Sequence, residues 1–293
     1  MTIRFIDLFA GIGGFHVAFH NLGAECVTSC EIDKYARQTY EHNFKKISPE
    51  LFEKGLFYND IQQIIPSELP SYDVLCAGFP CQPFSQAGYK RGFQEDKDNR
   101  GNMFFEILRL LKENKPRAFF LENVRHLIKH DEGRTFSTIE RCIKDLGYSF
   151  NFKVVKASDF NLPQHRPRVF IVGFREDVLN RDDFVFPKPI KNTLFMSDIF
   201  GEPCKKSIGY TLRVGGKSSG INDRRNWDMY MVAGRIRKLT HKEGIKMNGF
   251  PEDFSFPVSE TQAMKQLGNS VAVNAIQAVA SEIIKVLNYD EKN

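Results

Sequence analysis

From residue 3 to about residue 174, short apolar runs alternate with longer stretches in which apolar positions recur every three or four residues. Runs of the first kind are expected to form strands and those of the second to form amphipathic helices, and their alternation predicts a largely parallel sheet covered by helices. Strands are expected at 3–8, 25–31, 74–77, 118–122, 152–156 and 169–174, and helices at 14–21, 34–43, 103–113 and 134–146, the last stopping at Gly147. Beyond residue 174 the pattern breaks up. Pro187, Pro189, Pro203 and the Gly/Ser-rich stretch 215–220 interrupt every period, so 185–264 is expected to be a separate, loop-rich lobe. The apolar segment 271–287 is helical in pattern again, which suggests a first domain of 1–184 completed by 265–293.

The 293 residues are 42% hydrophobic and 26% charged, ordinary for a globular protein. No secretory leader precedes the first strand, and no uninterrupted apolar run suggests a bilayer span, so a cytoplasmic protein without membrane attachment is expected. The six cysteines include no C-x-x-C pair and no zinc-ligand spacing, so no metal is expected. The net charge of +5 is unevenly placed: residues 205–246 hold eleven Lys/Arg against three Asp/Glu, while the rest of the chain is slightly acidic. A concentrated positive block suits a phosphate backbone, although a solvated basic face has the same composition.

Five segments carry candidate chemistry. The first strand runs into Phe9-Ala10-Gly11-Ile12-Gly13-Gly14, a loop in which glycines let the backbone turn sharply and approach a ligand at a helix N-terminus. The spacing departs from G-x-G-x-x-G. The second strand ends at Glu31, where a carboxylate can accept both hydroxyls of a ribose; loop and acid together favour an adenosine-containing cofactor. The strand at 74–77 leads to Gly78-Phe79-Pro80-Cys81-Gln82, placing a thiol at the same sheet edge. A free thiol has a pKa of ~8.5 and needs local help to act as a thiolate nucleophile. The next strand delivers Glu122-Asn123-Val124, a carboxyl and an amide able to engage a substrate ring nitrogen. A later loop, Gln164-His165-Arg166-Pro167-Arg168, carries two arginines, one of which can face a pocket while the other faces backbone phosphate or solvent.

Read in order, with Arg237-Lys238-Leu239-Thr240 through Glu243 to Gly249-Phe250-Pro251 and then Gln266-Leu267-Gly268-Asn269-Ser270-Val271, these segments resemble the bacterial, restriction-modification type of DNA (cytosine-5)-methyltransferase. The resemblance covers the chain except about 187–233. It implies an α/β fold of the Rossmann-like, S-adenosylmethionine-dependent methyltransferase class: a mixed, mostly parallel sheet with a small, loop-rich DNA-recognition lobe. It implies double-stranded DNA as partner, a monomer, and a cognate restriction endonuclease acting on the same site without a stable complex. Cys81 would attack carbon 6 of cytosine, Glu122 would hydrogen-bond N3, Arg166 would face the base with Arg168 as close support, and Asn123 would complete the catalytic set. S-adenosylmethionine, leaving as S-adenosylhomocysteine, would lie against Phe9, Ala10, Gly11, Ile12, Gly13, Gly14, Glu31, Ile32, Asp60, Ile61, Pro80, Asn269 and Ser270. Ile32 stands where many relatives have an aromatic residue against the adenine.

The polar segment 82–100 resembles the mobile loop that closes over DNA in this family, giving Gln82, Ser85, Lys90 and Arg91 as DNA contacts. Thr211-Leu212 aligns with an anchor common in recognition lobes. Arg213, Gly215, Gly216, Asn222, Arg224, Arg225 and Asn226 are then candidates for reading bases or holding phosphates. An RNA cytosine-5 methyltransferase and an inactive DNA-binding paralogue are the alternatives.

Overall fold

A computed structural model describes residues 2–80, 103–179, 181–214 and 219–290. Seven strands form one sheet: β1 (Arg4–Leu8), β2 (Glu25–Cys30), β3 (Phe57–Tyr58), β4 (Val74–Gly78), β5 (Ala118–Val124), β6 (Asn151–Lys156) and β7 (Pro167–Phe174), in the order β3-β2-β1-β4-β5-β7-β6. β1 to β5 pair in parallel, and β7 runs antiparallel to both β5 and β6. Strand alternation sorts the side chains onto two cores. Phe5, Cys76, Phe120 and Val172 face one side, and Ile6, Leu8, Leu75, Phe119 and Ile171 face the other.

Helices cover both faces. The first core takes α1 (Gly14–His20) and α2 (Lys34–Phe44), with the short α3 (Pro49–Glu53) after them; the second takes α4 (Met103–Asn114) and α5 (Arg134–Asp145). In α4 the buried positions are Phe104, Ile107, Leu108, Leu110 and Leu111, and in α5 Thr135, Phe136, Ile139 and Ile143, each forming one broad face at helical spacing. α5 ends as expected, with Gly147 in the left-handed region and its N–H donating to Lys144 O at 2.9 Å.

The expected strands and helices of the first half are all present, with ends moved by a few residues. β3 was not anticipated, because two residues are too few to show alternation. The region expected to be loop-rich holds α6 (Met196–Phe200), a hairpin of β8 (Met229–Val232) and β9 (Arg235–Lys238), and α7 (His241–Asn248) opened by a Thr240/Glu243 capping box. Its apolar residues Leu212, Trp227, Tyr230, Ile245 and Met247 join the core on the first face of the large sheet. The C-terminal segment is two helices, α8 (Glu260–Asn269) and α9 (Val273–Asp290), broken at Ser270, and α9 packs on α1. The stretch Glu260–Asn288 has the length and hydropathy of a bilayer span, which the sequence reading did not anticipate, but 61% of its most apolar window is buried inside the protein, as in a core helix.

Candidate active site

The C-terminal ends of β1, β2, β4 and β5 open on one side of the sheet, where the candidate residues gather. After β1 the chain turns through Phe9 (φ 54°), Gly11 (φ 57°) and Gly13 (φ 84°), all left-handed. Ala10 N–H donates to Cys30 O at 2.9 Å, pinning the loop to β2, and Gly13 N–H donates to Ala10 O at 2.8 Å. A Cβ on Gly11 would meet nothing within 4 Å, whereas one on Gly13 would fall 2.2 Å from Phe44 Cε2. Gly11 therefore borders open space and Gly13 is a packing contact.

Glu31 closes this turn. Its Oε2 accepts from Gly11 N–H at 2.7 Å and its Oε1 from Asp33 N–H at 2.7 Å, so both oxygens are fixed with lone pairs to spare. Burial raises its pKa, opposed by the hydrogen bonds from Asp33 and Gly11. Ile32 beside it is 73% exposed, an apolar surface at the mouth of the loop. Asp60 Oδ1 accepts from Gln62 N–H at 3.0 Å, capping a turn whose Ile61 carbonyl accepts from Arg109 Nη2 at 3.0 Å. Pro80 is exposed at the end of the β4 segment. The break between α8 and α9 sits on α1: a Cβ on Gly14 would lie 2.4 Å from Val271 Cγ2 and 3.4 Å from Ser270 Oγ, and the neighbouring Asn269 is exposed. A carboxylate held beside an open glycine turn, with an exposed apolar side chain next to it, fits an adenosine with its ribose on the acid.

The second cluster lies at β4, β5 and β7. Gly78 pairs with Glu122, and a Cβ on Gly78 would be 3.6 Å from Glu122 Oε2, so this carboxyl lies over the last residue of β4, three positions before Cys81. Glu122 is 8% exposed, and Arg168 Nε stands 2.9 Å from its Oε1, an ion pair without hydrogen-bond alignment. Asn123 is buried, donates from Nδ2 to Phe79 O at 2.9 Å and accepts Val124 N–H at 2.8 Å, which ties the end of β5 to the segment leading to Cys81. Cys81 itself, Gln82, Ser85, Lys90, Arg91, Gly215 and Gly216 lie outside the described residues.

Of the two arginines it is Arg168 that pairs with Glu122, whereas the expectation gave Arg166 the place beside the base and Arg168 that of its support. Arg166 is 2% exposed; its Nη1 donates to Leu212 O at 2.9 Å, and its Nη2 to Gly268 O at 3.0 Å and to Ser270 O. Burial pulls its pKa down to about 9, with the like charge of Arg168 adding and Glu122 opposing. Arg166 lies before β7 in a turn, its N–H donating to Gln164 O at 3.1 Å, whereas Arg168 is within the strand, where the antiparallel register sets it opposite Val124 at the Glu122 edge.

Among the recognition candidates, Thr211 donates its hydroxyl to His165 O, and Arg213, Asn222, Arg224 and Arg225 are exposed. Arg225 is engaged by Asp223 through Nε at 3.1 Å and Nη2 at 2.8 Å, which lowers the Asp223 pKa to about 2. Asn226 is corrected from base reader to turn residue: it is buried, donating to Met229 O at 2.9 Å and accepting Met229 N–H at 3.0 Å. The positive block is also partly neutralised within the fold, where Arg235 and Arg237 pair with Glu202 and Arg237 also with Glu243.

Two residues carry more than their sequence context suggested. Asp7 is wholly buried in β1, and burial raises its pKa well above the usual carboxylate value. A lone acid in an apolar strand was the available signal. Gln164 bonds to residues more than eighty positions away, which no periodicity reveals.

The family of C-5 cytosine-specific DNA methylases matches residues 3–227 and 213–285. The Type II methyltransferase M.HhaI of Haemophilus parahaemolyticus is 36% identical over 98% of this chain and 96% of its own. M.NgoBI of Neisseria gonorrhoeae is 40% identical over 93% of this chain and 90% of its own. The crystal structure of a DNMT2 mutant from Spodoptera frugiperda shares the fold, with a TM-score of 0.73 at 21% identity over 98% of this chain and 100% of that one. With glycine turn, ribose-type acid and Glu-Asn edge on one side of a sheet of this topology, and with relatives aligned nearly end to end, the chain belongs to the C-5 cytosine-specific DNA methylases.

Proposed function

We propose that the protein takes a cytosine out of a short duplex sequence and methylates its carbon 5, with Cys81 as nucleophile, Glu122 and Arg168 on the base, and S-adenosylmethionine as methyl donor. The observation that carries this assignment of roles is the Glu122–Arg168 pair, which lies over the end of β4, the strand that leads to Cys81. Cytosine inside a duplex hides the ring faces that must be attacked, and rotating it out costs a few kcal/mol. The Cys81 thiolate adds to carbon 6 and pushes electron density toward carbon 5 and the N3–O2 edge. Glu122 hydrogen-bonds N3, and Arg168 holds the Glu122 carboxyl and brings positive charge to the edge where negative charge develops. Asn123 fixes the Phe79–Pro80 backbone so that the thiol arrives at a set distance.

Glu31, the Gly11 turn, Ile32, Asp60, Pro80 and Asn269 would hold S-adenosylmethionine, which supplies an electrophilic methyl group to the activated carbon. Loss of the carbon 5 proton then expels Cys81. The body would be 1–184 with 265–293, and 185–264 the recognition lobe, Arg213 and Arg224 being its exposed base or phosphate contacts. The relatives carry the Type II designation of restriction systems, which supports a cytoplasmic enzyme that protects the site of a separate endonuclease; it would act as a monomer.

Tritium transfer from methyl-labelled S-adenosylmethionine to duplex DNA and to tRNA in parallel tests the proposal. Label is expected in DNA cytosine alone; label in tRNA alone would replace DNA with RNA as the substrate.

A further inference from the structure

The segment carrying Arg213 is fastened to the base-binding edge by contacts that no catalytic step uses. Residues 209–212 run beside 163–166: His165 N–H donates to Gly209 O at 2.9 Å, Gly209 N–H to Pro163 O at 2.9 Å, and the Thr211 hydroxyl to His165 O. Leu212 is held at both backbone groups, its N–H donating to Gln164 Oε1 at 3.0 Å and its carbonyl accepting from Arg166 Nη1 at 2.9 Å. The same two side chains reach α7 and the end of α8. Gln164 Nε2 donates to Met247 O at 3.0 Å and Asn248 Oδ1 at 2.7 Å, and Asn248 Nδ2 to Leu267 O at 3.0 Å, while Arg166 takes the carbonyls of Gly268 and Ser270.

Arg213 then rests directly on Gly268. A Cβ there would lie 2.6 Å from the Arg213 carbonyl carbon and 3.0 Å from its Cα and O, and backbone atoms cannot swing aside. Gly268 lies within α8, where the helix itself would accept alanine, so the glycine is required by its neighbour. A buried guanidinium is costly to desolvate, and an apolar side chain would fill the space; what Arg166 adds is a rigid fork of donors reaching separate segments.

We infer that Gln164, Arg166 and Gly268 are positioning residues for sequence recognition. They fix the distance and register between Arg213 and the Glu122–Arg168 edge, and so select which base of the recognised sequence is methylated. Arg168 follows Arg166 by two residues, so the segment that seats the recognition strand continues directly into the strand that pairs with Glu122. The inference rests on 185–264 being the recognition lobe.

The test methylates a random-sequence duplex library with wild type, Gly268→Ala, Arg166→Lys and Arg213→Ala, and reads positions by bisulfite sequencing at matched total methylation. The measured quantity is the ratio of methylation at the preferred motif to that at sites one base pair away. Gly268→Ala and Arg166→Lys are expected to lower this ratio about tenfold, within the usual discrimination per base pair, or to shift the methylated cytosine within the motif. Thr211→Val, which removes only a half-buried hydroxyl, carries the same expectation at smaller size if Gly268→Ala fails to fold. An unchanged ratio in variants that merely turn over more slowly would make these contacts structural and overturn the inference. A motif altered by Arg213→Ala but intact in the others would overturn the inference alone, and a motif intact in Arg213→Ala would remove the lobe assignment and the inference together.

Discussion

Arg168 Nε stands 2.9 Å from Glu122 Oε1, and both side chains are largely buried at the edge of the sheet that β4 and β5 share. A carboxyl so placed is oriented by its partner rather than by solvent. Glu122→Gln keeps the shape and removes the acid, and is expected to lower kcat by ~10²–10⁴ with little change in KM for DNA. Arg168→Ala leaves the carboxyl buried without its cation and is expected to lower kcat by at least ~10². Steady-state rates on both variants, with thermal unfolding as the control for folding, check this.

Gly11 and Gly13 are two residues apart and should fail differently. Gly13→Ala forces a methyl into the Phe44 ring at a left-handed φ, so a loss of ~2–4 kcal/mol is expected in thermal unfolding. Gly11→Ala has open space and should cost only ~1–2 kcal/mol of backbone strain, its larger effect falling on cofactor affinity. Unfolding curves and calorimetric titration with S-adenosylhomocysteine separate the two.

At the end of β2, Glu31→Ala removes a carboxylate that holds Gly11 and faces the cofactor turn. A charged hydrogen bond of ~1.5–3 kcal/mol corresponds to a 10- to 150-fold weaker S-adenosylhomocysteine affinity. Ile32→Trp, at a position 73% exposed, offers a stacking surface and is expected to tighten the same ligand severalfold. The same titration measures both.

His16 is wholly buried, stacked on Phe44 at 4.1 Å, with Nδ1 2.7 Å from Tyr40 Oη, and burial brings its pKa down to about 3. The folded state therefore keeps the ring neutral while the unfolded chain takes up a proton near pH 6.5. This group's contribution is complete above that pH and is lost as pH falls from about 6.5 toward 3, at up to ~1.4 kcal/mol per pH unit. Urea unfolding of wild type and His16→Phe across that range should show the steeper acid loss in wild type; parallel slopes would remove His16 as the cause.

The glycine turn, the acid at Glu31 and the Glu-Asn edge were legible because strand alternation and chain order place strand ends on one side of a parallel sheet. Which arginine meets Glu122 was not legible. Two residues apart, Arg166 and Arg168 would share a face of a regular strand; the turn at Arg166 before β7 separates them, and neither that turn nor the register of β7 against β5 shows in residue types. Asn226 has the chemistry of an adenine reader but closes a turn, and residue type cannot separate the two uses. α8 was not legible because it begins inside the stretch expected to be loop-rich, before the apolar segment 271–287, and the role of Gln164 was not because its partners on α7 are brought close only by the fold.

Expressing the chain in a host without cytosine methylation, with Cys81→Ser in parallel, and mapping 5-methylcytosine across the genome by bisulfite sequencing tests the proposed chemistry most directly. One short methylated motif is expected from the wild type and none from Cys81→Ser. Methylation of the same motif by a folded Cys81→Ser protein would remove Cys81 as nucleophile. An unmarked genome from a wild type that is folded and binds S-adenosylhomocysteine would count against duplex DNA as its substrate.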